Sequence, residues 1–122
     1  FGDNQTIEKE AISDLDKGFV SRFKSLVEER MKDAELNVED LGRNMGMSRV
    51  QLYRKLKSLT NYSPNELLRQ MRLKKAASLL ASSDMTVAEI AYEVGFSSPS
   101  YFTKCYKEQF GESPTEFLKR RG

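Results

Sequence analysis

The stretch AEIAYEVGFSSPSYFTKCYKEQFGESPTEF, residues 88–117, decides the fold of this chain. Apolar residues recur through it at helical spacing, and polar residues that favour helix starts interrupt it. The side-chain oxygen of such a residue accepts a hydrogen bond from a free backbone N–H, and a carboxylate three residues later can return the bond. The helix starts that this chemistry predicts are Thr86 with Glu89, Ser98 with Pro99, and Ser113-Pro114 with Glu116. Because Gly95-Phe96 separates the first two segments, we expect a short helix, a tight turn, a second helix and then a third.

The same pattern occurs earlier in the chain, which indicates an internal repeat. At an offset of 49 positions, four residues of the first copy match Val87, Ile90, Gly95 and Ser97; they are Val38, Leu41, Gly46 and Ser48. The second copy then gains one residue, and the offset becomes 50 positions. At this offset seven residues of the first copy match residues of the second. Those of the first copy are Leu52, Arg54, Lys57, Ser63, Pro64, Glu66 and Leu68, and those of the second, in the same order, are Phe102, Lys104, Lys107, Ser113, Pro114, Glu116 and Leu118. The predicted helix starts of this copy are Asn37 with Asp40, Ser48 with Gln51, and Ser63-Pro64 with Glu66.

Two copies of this unit predict an all-α fold with about seven helices, in which two helix-turn-helix subdomains are joined by a long linker helix. The first helix-turn-helix is expected at about residues 38–60 and the second at about 87–110. The linker helix is expected at about 64–81, and a C-terminal helix at about 114–120. The 17 residues of the linker helix from Pro64 to about Leu80 would span roughly 25 Å at 1.5 Å per residue.

The N-terminal region has a different composition. Residues 1–17 are polar and acidic, which is typical of a linker or N-terminal extension, so we expect the domain proper at residues 18–122. From Phe19 to Ala34 the apolar residues fall at helical spacing and predict an amphipathic first helix.

The length of 122 residues suits one domain, and the chain has no apolar run of the roughly 20 residues that cross a bilayer. With a single cysteine, Cys105, these features predict a cytoplasmic domain without membrane contact, even if the full-length protein is anchored in a membrane.

Charge is strongly segregated along the chain, although the net charge is only +2. Residues 1–40 contain six basic and eleven acidic side chains, whereas residues 48–75 contain eight basic side chains and one acidic side chain, Glu66. Residues 97–122 add five basic and three acidic side chains. A polyanion is therefore the expected partner of the middle and C-terminal regions.

A helix-turn-helix whose second helix exposes a basic face favours DNA binding, because this helix fits the major groove. In SRVQLYRKLKSLT we expect one face to pack inward, formed by Leu52, Leu56 and Leu59. The residues left for DNA are Arg49, Val50, Tyr53, Arg54 and Lys57. In SPSYFTKCYKEQF the residues expected to be buried are Phe102, Cys105, Tyr106 and Phe110. Those left for the groove are Ser98, Pro99, Ser100, Thr103 and Lys104.

These residues resemble the DNA-binding domain of the AraC/XylS transcription regulators, over about residues 19–120. Besides the stretch quoted first, the resemblance rests on MSRVQLYRKLKSLTNYSPNELLRQMRLKKAASLL, which starts at Met47. More narrowly, the chain is similar to the output domains of hybrid two-component sensors of Bacteroides-like bacteria. The resemblance implies sequence-specific binding of double-stranded DNA for regulation of transcription, with two recognition helices in successive major grooves. It also implies dimerisation through upstream domains, and RNA polymerase is a further compatible partner.

Carried over by position, the family's base contacts fall on residues of both recognition helices. They are Arg49, Val50, Tyr53 and Arg54 in the first copy, and Ser100, Thr103 and Lys104 in the second. The second set is small and weakly charged, so copy two is expected to contribute more to backbone contact. The expected phosphate contacts are Asn37, Ser48, Lys57, Asn61, Thr86, Ser98 and Lys107. Asn61 stands where the family commonly has Gly, and Asn tolerates the left-handed conformation of such a helix end.

Several alternatives stay open at this level. The basic cluster that includes Lys55 is also compatible with a solvated helix face, Tyr53 with half-buried packing, and the serines of copy two with capping alone. A helical protein-interaction module without sequence-specific DNA binding is the competing function, because helix-turn-helix folds also mediate assembly. RNA is disfavoured, since the sequence predicts no aromatic platform for unstacked bases. An enzyme is not expected, and neither is a cofactor or a metal, because the chain has no His, no paired Cys and no Gly-rich phosphate loop.

Overall fold

The computed structural model describes residues 14–122, and the regular secondary structure in that range is entirely helical. Its helices are α1 (Asp14–Arg30), α2 (Val38–Asn44), α3 (Arg49–Thr60), α4 (Pro64–Ser82), α5 (Val87–Glu93), α6 (Pro99–Phe110) and α7 (Pro114–Arg121). The pairs α2–α3 and α5–α6 are the two helix-turn-helix units, and α4 connects them. The predicted all-α fold is confirmed. Among these helices none is both long and apolar enough to span a membrane.

Helices α2 to α7 begin where the capping chemistry predicts. Reciprocal hydrogen bonds between the capping residue and the third helical residue are formed at Ser48, Ser63, Thr86 and Ser113. Ser98 accepts a hydrogen bond from the Tyr101 N–H, with Pro99 in the first turn. Asn37 likewise accepts from the Asp40 N–H, but the reciprocal bond expected from Asp40 is absent because this carboxylate pairs with Arg43.

The first helix differs from the prediction at both ends. It begins at Asp14 and ends at Arg30, whereas the apolar spacing predicted residues 19–34. Asp14 and Asp16 lie in its first turn, where acidic side chains favour the positive end of the helix dipole. The backbone turns after Arg30, where the helix ends, and Met31 lies beyond the helix but is still buried. Residues 1–13, which make up most of the predicted extension, lie outside the described residues.

Helix α4 is the shared element of two separate hydrophobic cores. It has 19 residues and a length of roughly 28 Å. Leu67 and Leu68 from its first half join the core of the N-terminal unit, which also contains residues of α1, α2 and α3. Leu73, Ala76 and Leu80 from its second half join the core of the C-terminal unit. Each helix-turn-helix unit therefore has its own apolar interior, and α4 sets the distance between them.

The two units also meet through polar contacts at the middle of α4. Arg72 Nε donates a hydrogen bond to the Met31 carbonyl at 3.1 Å, and Arg72 Nη2 donates one to the Asp33 carbonyl at 2.8 Å. Gly95, in the turn of the second unit, has a φ of +97°, and a Cβ at this position would lie 1.8 Å from the Met31 carbonyl oxygen. We call the contact region of Arg72, Met31, Asp33 and Gly95 the junction. A larger residue cannot replace Gly95 without separating the backbones that meet there.

Candidate nucleic-acid interface

The inward face of α3 attaches this helix to the N-terminal core. Leu52 and Leu56 are completely buried, as the sequence predicts. Leu59, expected on the same face, is only partly buried because it lies in the last turn, next to the helix end at Thr60. Two fully buried leucines one turn apart fix the rotation of α3, and this rotation determines which side chains point outward.

The outward face of α3 presents the residues predicted to contact DNA. Arg49, Val50, Tyr53, Arg54 and Lys57 are all exposed, and they follow helical spacing along one side. Val50 is 58% exposed and Tyr53 is 48% exposed, so neither side chain serves the core. An apolar and an aromatic side chain beside arginines suit a groove surface, where bases offer methyl groups as well as hydrogen-bond acceptors.

Lys55 belongs to a different surface from the other basic residues of α3. Its Nζ lies 3.8 Å from an Asp16 carboxylate oxygen and 4.8 Å from the centre of the Phe19 ring. The side chain therefore packs toward α1, and Lys55 is removed from the basic cluster that the sequence suggested for DNA.

Helix α6 repeats the arrangement of α3 with different side chains. Phe102, Cys105 and Tyr106 are buried as predicted. The prediction for Phe110 is wrong, because this residue is 39% exposed at the last position of the helix. Its ring instead covers the Tyr106 ring, with the ring centres 4.6 Å apart.

The outward face of α6 is nearly neutral. Ser100 and Lys104 are exposed and Thr103 is partly exposed, at the positions that correspond by repeat to Val50, Tyr53 and Arg54. Lys104 is the one charged residue in this set. The two helices thus present equivalent faces, of which that of α3 is larger and more basic.

The predicted phosphate contacts comprise four helix caps, one helix end and two lysines. Four of them are helix caps whose side-chain oxygens accept backbone N–H groups; they are Asn37, Ser48, Thr86 and Ser98. Asn61 ends α3 in the left-handed conformation, with a φ of +69°, as the sequence predicts. Lys57 and Lys107 are exposed at corresponding positions of the repeat. A positive side chain and a helix N-terminus both attract anions, so these positions suit DNA phosphates.

A cleft between the two units contains residues that the sequence did not identify as site residues. Its volume is about 400 Å³, and we call it the α4 cleft. Polar side chains that line it are Asn65, Arg69 and Arg72 of α4, Ser97 before α6, and Tyr101 of α6. Tyr101 is 49% exposed although its ring centre lies 5.9 Å from that of buried Phe96. The sequence indication was the spacing of Asn65, Arg69 and Arg72, which places them on one face of α4.

Comparison with known proteins agrees with this arrangement. A family model described as a helix-turn-helix domain matches residues 41–120. A histidine kinase from Formosa agariphila is 37% identical over 109 residues, which cover 89% of this chain and 8% of the kinase. A solved structure of the DNA-binding domain of AdpA, a global transcriptional factor, in complex with a target DNA is also similar to this chain. Its TM-score is 0.77 and its sequence identity 30%, and the match covers 82% of this chain and 88% of that chain.

A third similar protein identifies the type of helix-turn-helix domain. It is a transcriptional regulator with an AraC-type DNA-binding domain from Chromobacterium violaceum, with a TM-score of 0.71 and 26% identity, covering 86% of this chain and 96% of that chain. The present chain spans 8% to 37% of the length of the first curated relatives that it matches. Since the family model matches more than half of the chain, and the repeat and fold agree with it, the chain belongs to the helix-turn-helix domain family as an AraC-type DNA-binding domain.

Proposed function

We propose that this domain places α3 and α6 in successive major grooves on one side of a DNA duplex. Sequence-specific binding of double-stranded DNA, for regulation of transcription, is the function of the domain, and it is not an enzyme. The observation that carries the groove assignment is the pair of exposed helix faces at equivalent repeat positions, on two units with separate cores. Successive major grooves are roughly 34 Å apart, and α4 has a length of roughly 28 Å to separate the units.

Under this proposal α3 makes the more specific contacts. Arg49 and Arg54 offer bidentate donors to guanine, and Val50 and Tyr53 supply apolar contacts to thymine methyl groups or sugars. Ser100, Thr103 and Lys104 of α6 give weaker base contacts. The seven phosphate contacts retained from the sequence set the register of the protein on the duplex without selecting bases; they are Asn37, Ser48, Lys57, Asn61, Thr86, Ser98 and Lys107.

The wider setting is also a proposal. The similarity to a small part of a histidine kinase supports an output domain of a hybrid two-component protein of Bacteroides type. In such a protein the signal and the dimer contacts come from other domains, and two linked domains on adjacent sites raise the effective affinity. A domain that acts on chromosomal DNA works in the cytoplasm, even if the whole protein is anchored in a membrane, and RNA polymerase is a further proposed partner.

Selection of bound duplexes from a random 30-base-pair pool tests the proposal. The purified chain is used at a fixed salt concentration near 0.15 M, because DNA affinity depends steeply on salt. We expect enrichment of a bipartite motif whose halves are about one helical turn apart, with the stronger preference in the half that α3 contacts. Enrichment of a single half would assign α6 to phosphate contact alone.

The competing function predicts a different result. A protein-interaction module would enrich no sequence, would bind DNA weakly or not at all, and would self-associate in sedimentation experiments. The basic face of α3 and the DNA complex of a relative 30% identical to this chain favour DNA binding over that alternative.

A further inference from the structure

The α4 cleft borders the first turn of α6 and shares Asn65 with a second recess at the first turn of α3. At one end it is lined by Ser97 and Tyr101, which flank the start of α6. At the other end it is lined by Asn65, which also borders a smaller recess shared with Asn37 and Arg49, the first residue of α3. Under the proposed function, the DNA segment between the two major grooves lies on this side of the molecule.

The lining of the α4 cleft is selectively basic. It includes two arginines, Arg69 and Arg72, and no carboxylate. The groove on the other side of α4, about 740 Å³ in volume, has a mixed lining that includes glutamates of α1 and α5 as well as lysines. The lysines of the groove are largely offset by its glutamates, whereas the arginines of the cleft face no carboxylate in its lining, so a polyanion is attracted more strongly to the cleft.

The two arginines of the cleft have different roles in the structure. Arg72 is partly buried and donates to the Met31 and Asp33 carbonyls of the junction, so these donors are already used. Arg69 is exposed and forms no ion pair with a carboxylate of residues 14–122. Glu66, three residues earlier, accepts the Ser63 N–H through its carboxylate, and the charge of Arg69 is the smallest of the effects that lower the pKa of Glu66. The Arg69 guanidinium is thus available to an anion that arrives from outside.

From these observations we infer that the α4 cleft is a binding site for a backbone phosphate of the DNA segment between the two major grooves, with Arg69 as its charged donor. Asn65, Ser97 and Tyr101 surround the same space and supply neutral donors. The inference rests on the proposed function, because it requires both helices to engage one duplex. A contact of this kind adds affinity and fixes the depth at which the duplex lies, and it selects no base.

The test compares Arg69→Gln with Lys75→Gln on the duplex of highest affinity from the random pool. Both substitutions remove one positive charge from exposed positions of α4, but Lys75 lines the opposite groove. We expect Arg69→Gln to lower affinity several-fold at 0.15 M salt and to reduce the slope of log K against log salt by about 0.9, the value for one phosphate. Lys75→Gln should change the slope by less than half of that amount. Arg69→Lys, which keeps the positive charge, should keep the wild-type slope.

Neutral methylphosphonate linkages, placed singly along the central segment of each strand, locate the phosphate. One or two central linkages should weaken the wild-type chain, and the same linkages should not further weaken Arg69→Gln. Equal salt slopes for Arg69→Gln and Lys75→Gln, or additive losses with the central linkages, would refute the cleft site while leaving DNA binding intact. A wild-type chain that binds no duplex would instead refute the proposed function, and the cleft site with it.

Discussion

At the scale of single residues, the exposed face of α3 combines side chains that should contribute to DNA binding in different ways. Arg54 lies beside Val50 and Tyr53 on the proposed groove surface, whereas Lys57 lies one turn later, near the helix end. We predict that Arg54→Ala costs about 1 to 3 kcal/mol on the selected duplex and relaxes preference at one base position. Lys57→Ala should weaken binding to all duplexes alike and lower the salt slope by about 1. Titrations against selected and random duplexes at several salt concentrations measure both effects.

Lys55→Ala is the matched control for this pair. It removes a positive charge from the same helix, but its side chain packs toward Asp16 and Phe19 of α1. Its effect on DNA affinity should be small, and its effect on stability should stay below about 1 kcal/mol, as for exposed ion pairs. Equal losses on selected and random duplexes for Arg54→Ala would remove this residue from the base contacts.

A second prediction concerns two glycines that correspond in the repeat. Gly46 and Gly95 both have positive φ, of +70° and +97°, in the turns of the two units. A Cβ on Gly46 meets nothing within 4 Å, whereas a Cβ on Gly95 would meet the Met31 carbonyl oxygen at 1.8 Å. Gly46→Ala should therefore cost only the conformational penalty of about 1 to 2 kcal/mol, and Gly95→Ala should cost several kcal/mol or prevent folding.

Urea unfolding of the two glycine variants provides the measurement. The difference in the free energy of unfolding between the two variants measures the steric cost at the junction, because the backbone conformation is left-handed in both turns. Similar urea midpoints for both variants would mean that the backbones at the junction separate at little cost, contrary to the structure.

The exposed site residues could be predicted from sequence because their positions depend only on local spacing. Leu52 and Leu56 set the rotation of α3, and the outward positions follow from the helical period. Arg69 and Tyr101 of the α4 cleft were not predicted, since their common cavity depends on how two residues 32 positions apart in sequence come together in space. Phe110 was predicted to be buried from its apolar character, but its position at a helix end leaves no core to receive it.

At the scale of the helical elements, three glutamates close reciprocal caps by accepting the backbone N–H of the capping residue. These hydrogen bonds, from Ser63, Thr86 and Ser113, lower the pKa of Glu66, Glu89 and Glu116 below the usual value of 4.5. A carboxyl whose pKa is lower in the folded state stabilises the fold above its unfolded pKa. This stabilisation is lost as pH falls through the folded value.

We therefore predict that the free energy of unfolding decreases as pH falls below about 4.5. A triple variant, Glu66→Gln, Glu89→Gln and Glu116→Gln, retains a hydrogen-bond acceptor at each cap and should lose much of this dependence. Urea midpoints between pH 3 and pH 7 measure it. The control replaces the exposed Glu28, Glu29 and Glu35, which cap no helix, by Gln and should keep the wild-type dependence. If both triple variants show the same pH profile, the caps are not its source.

Helix boundaries were predictable where capping chemistry specifies them and unpredictable where tertiary contacts do. α4 starts at Pro64 as expected, because Ser63 and Glu66 are adjacent in sequence to the helix that they cap. α1 ends at Arg30 rather than near Ala34, in a segment whose carbonyls accept hydrogen bonds from Arg72, far away in the sequence. Local patterns cannot show that a residue 41 positions later will take those acceptors.

At the scale of the whole molecule, two separate cores are connected by one continuous helix and a small polar junction. Beyond the hydrogen bonds of Arg72, an ion pair of 3.1 Å joins Lys32 of the N-terminal unit to Glu93 of the C-terminal unit. This pair is exposed and contributes little. Burial lowers the pKa of Arg72 from its ordinary value, with an opposing effect of Asp33, yet the guanidinium stays charged at neutral pH. Arg72 is therefore the main polar link that fixes the angle between the units.

We predict that Arg72→Met, which keeps a long apolar stem and removes the donors, leaves both units folded but loosens their relative orientation. Under the proposed function, the wild-type chain should lose affinity sharply when one base pair is added or removed between the two half-sites, because each base pair rotates the second groove by roughly one tenth of a turn. Arg72→Met should bind the best duplex more weakly and lose less on the shifted duplexes. Binding to this spacing series, with circular dichroism to confirm helix content, measures the effect. A uniform loss that leaves the spacing dependence unchanged would show that α4 alone holds the two helices in register.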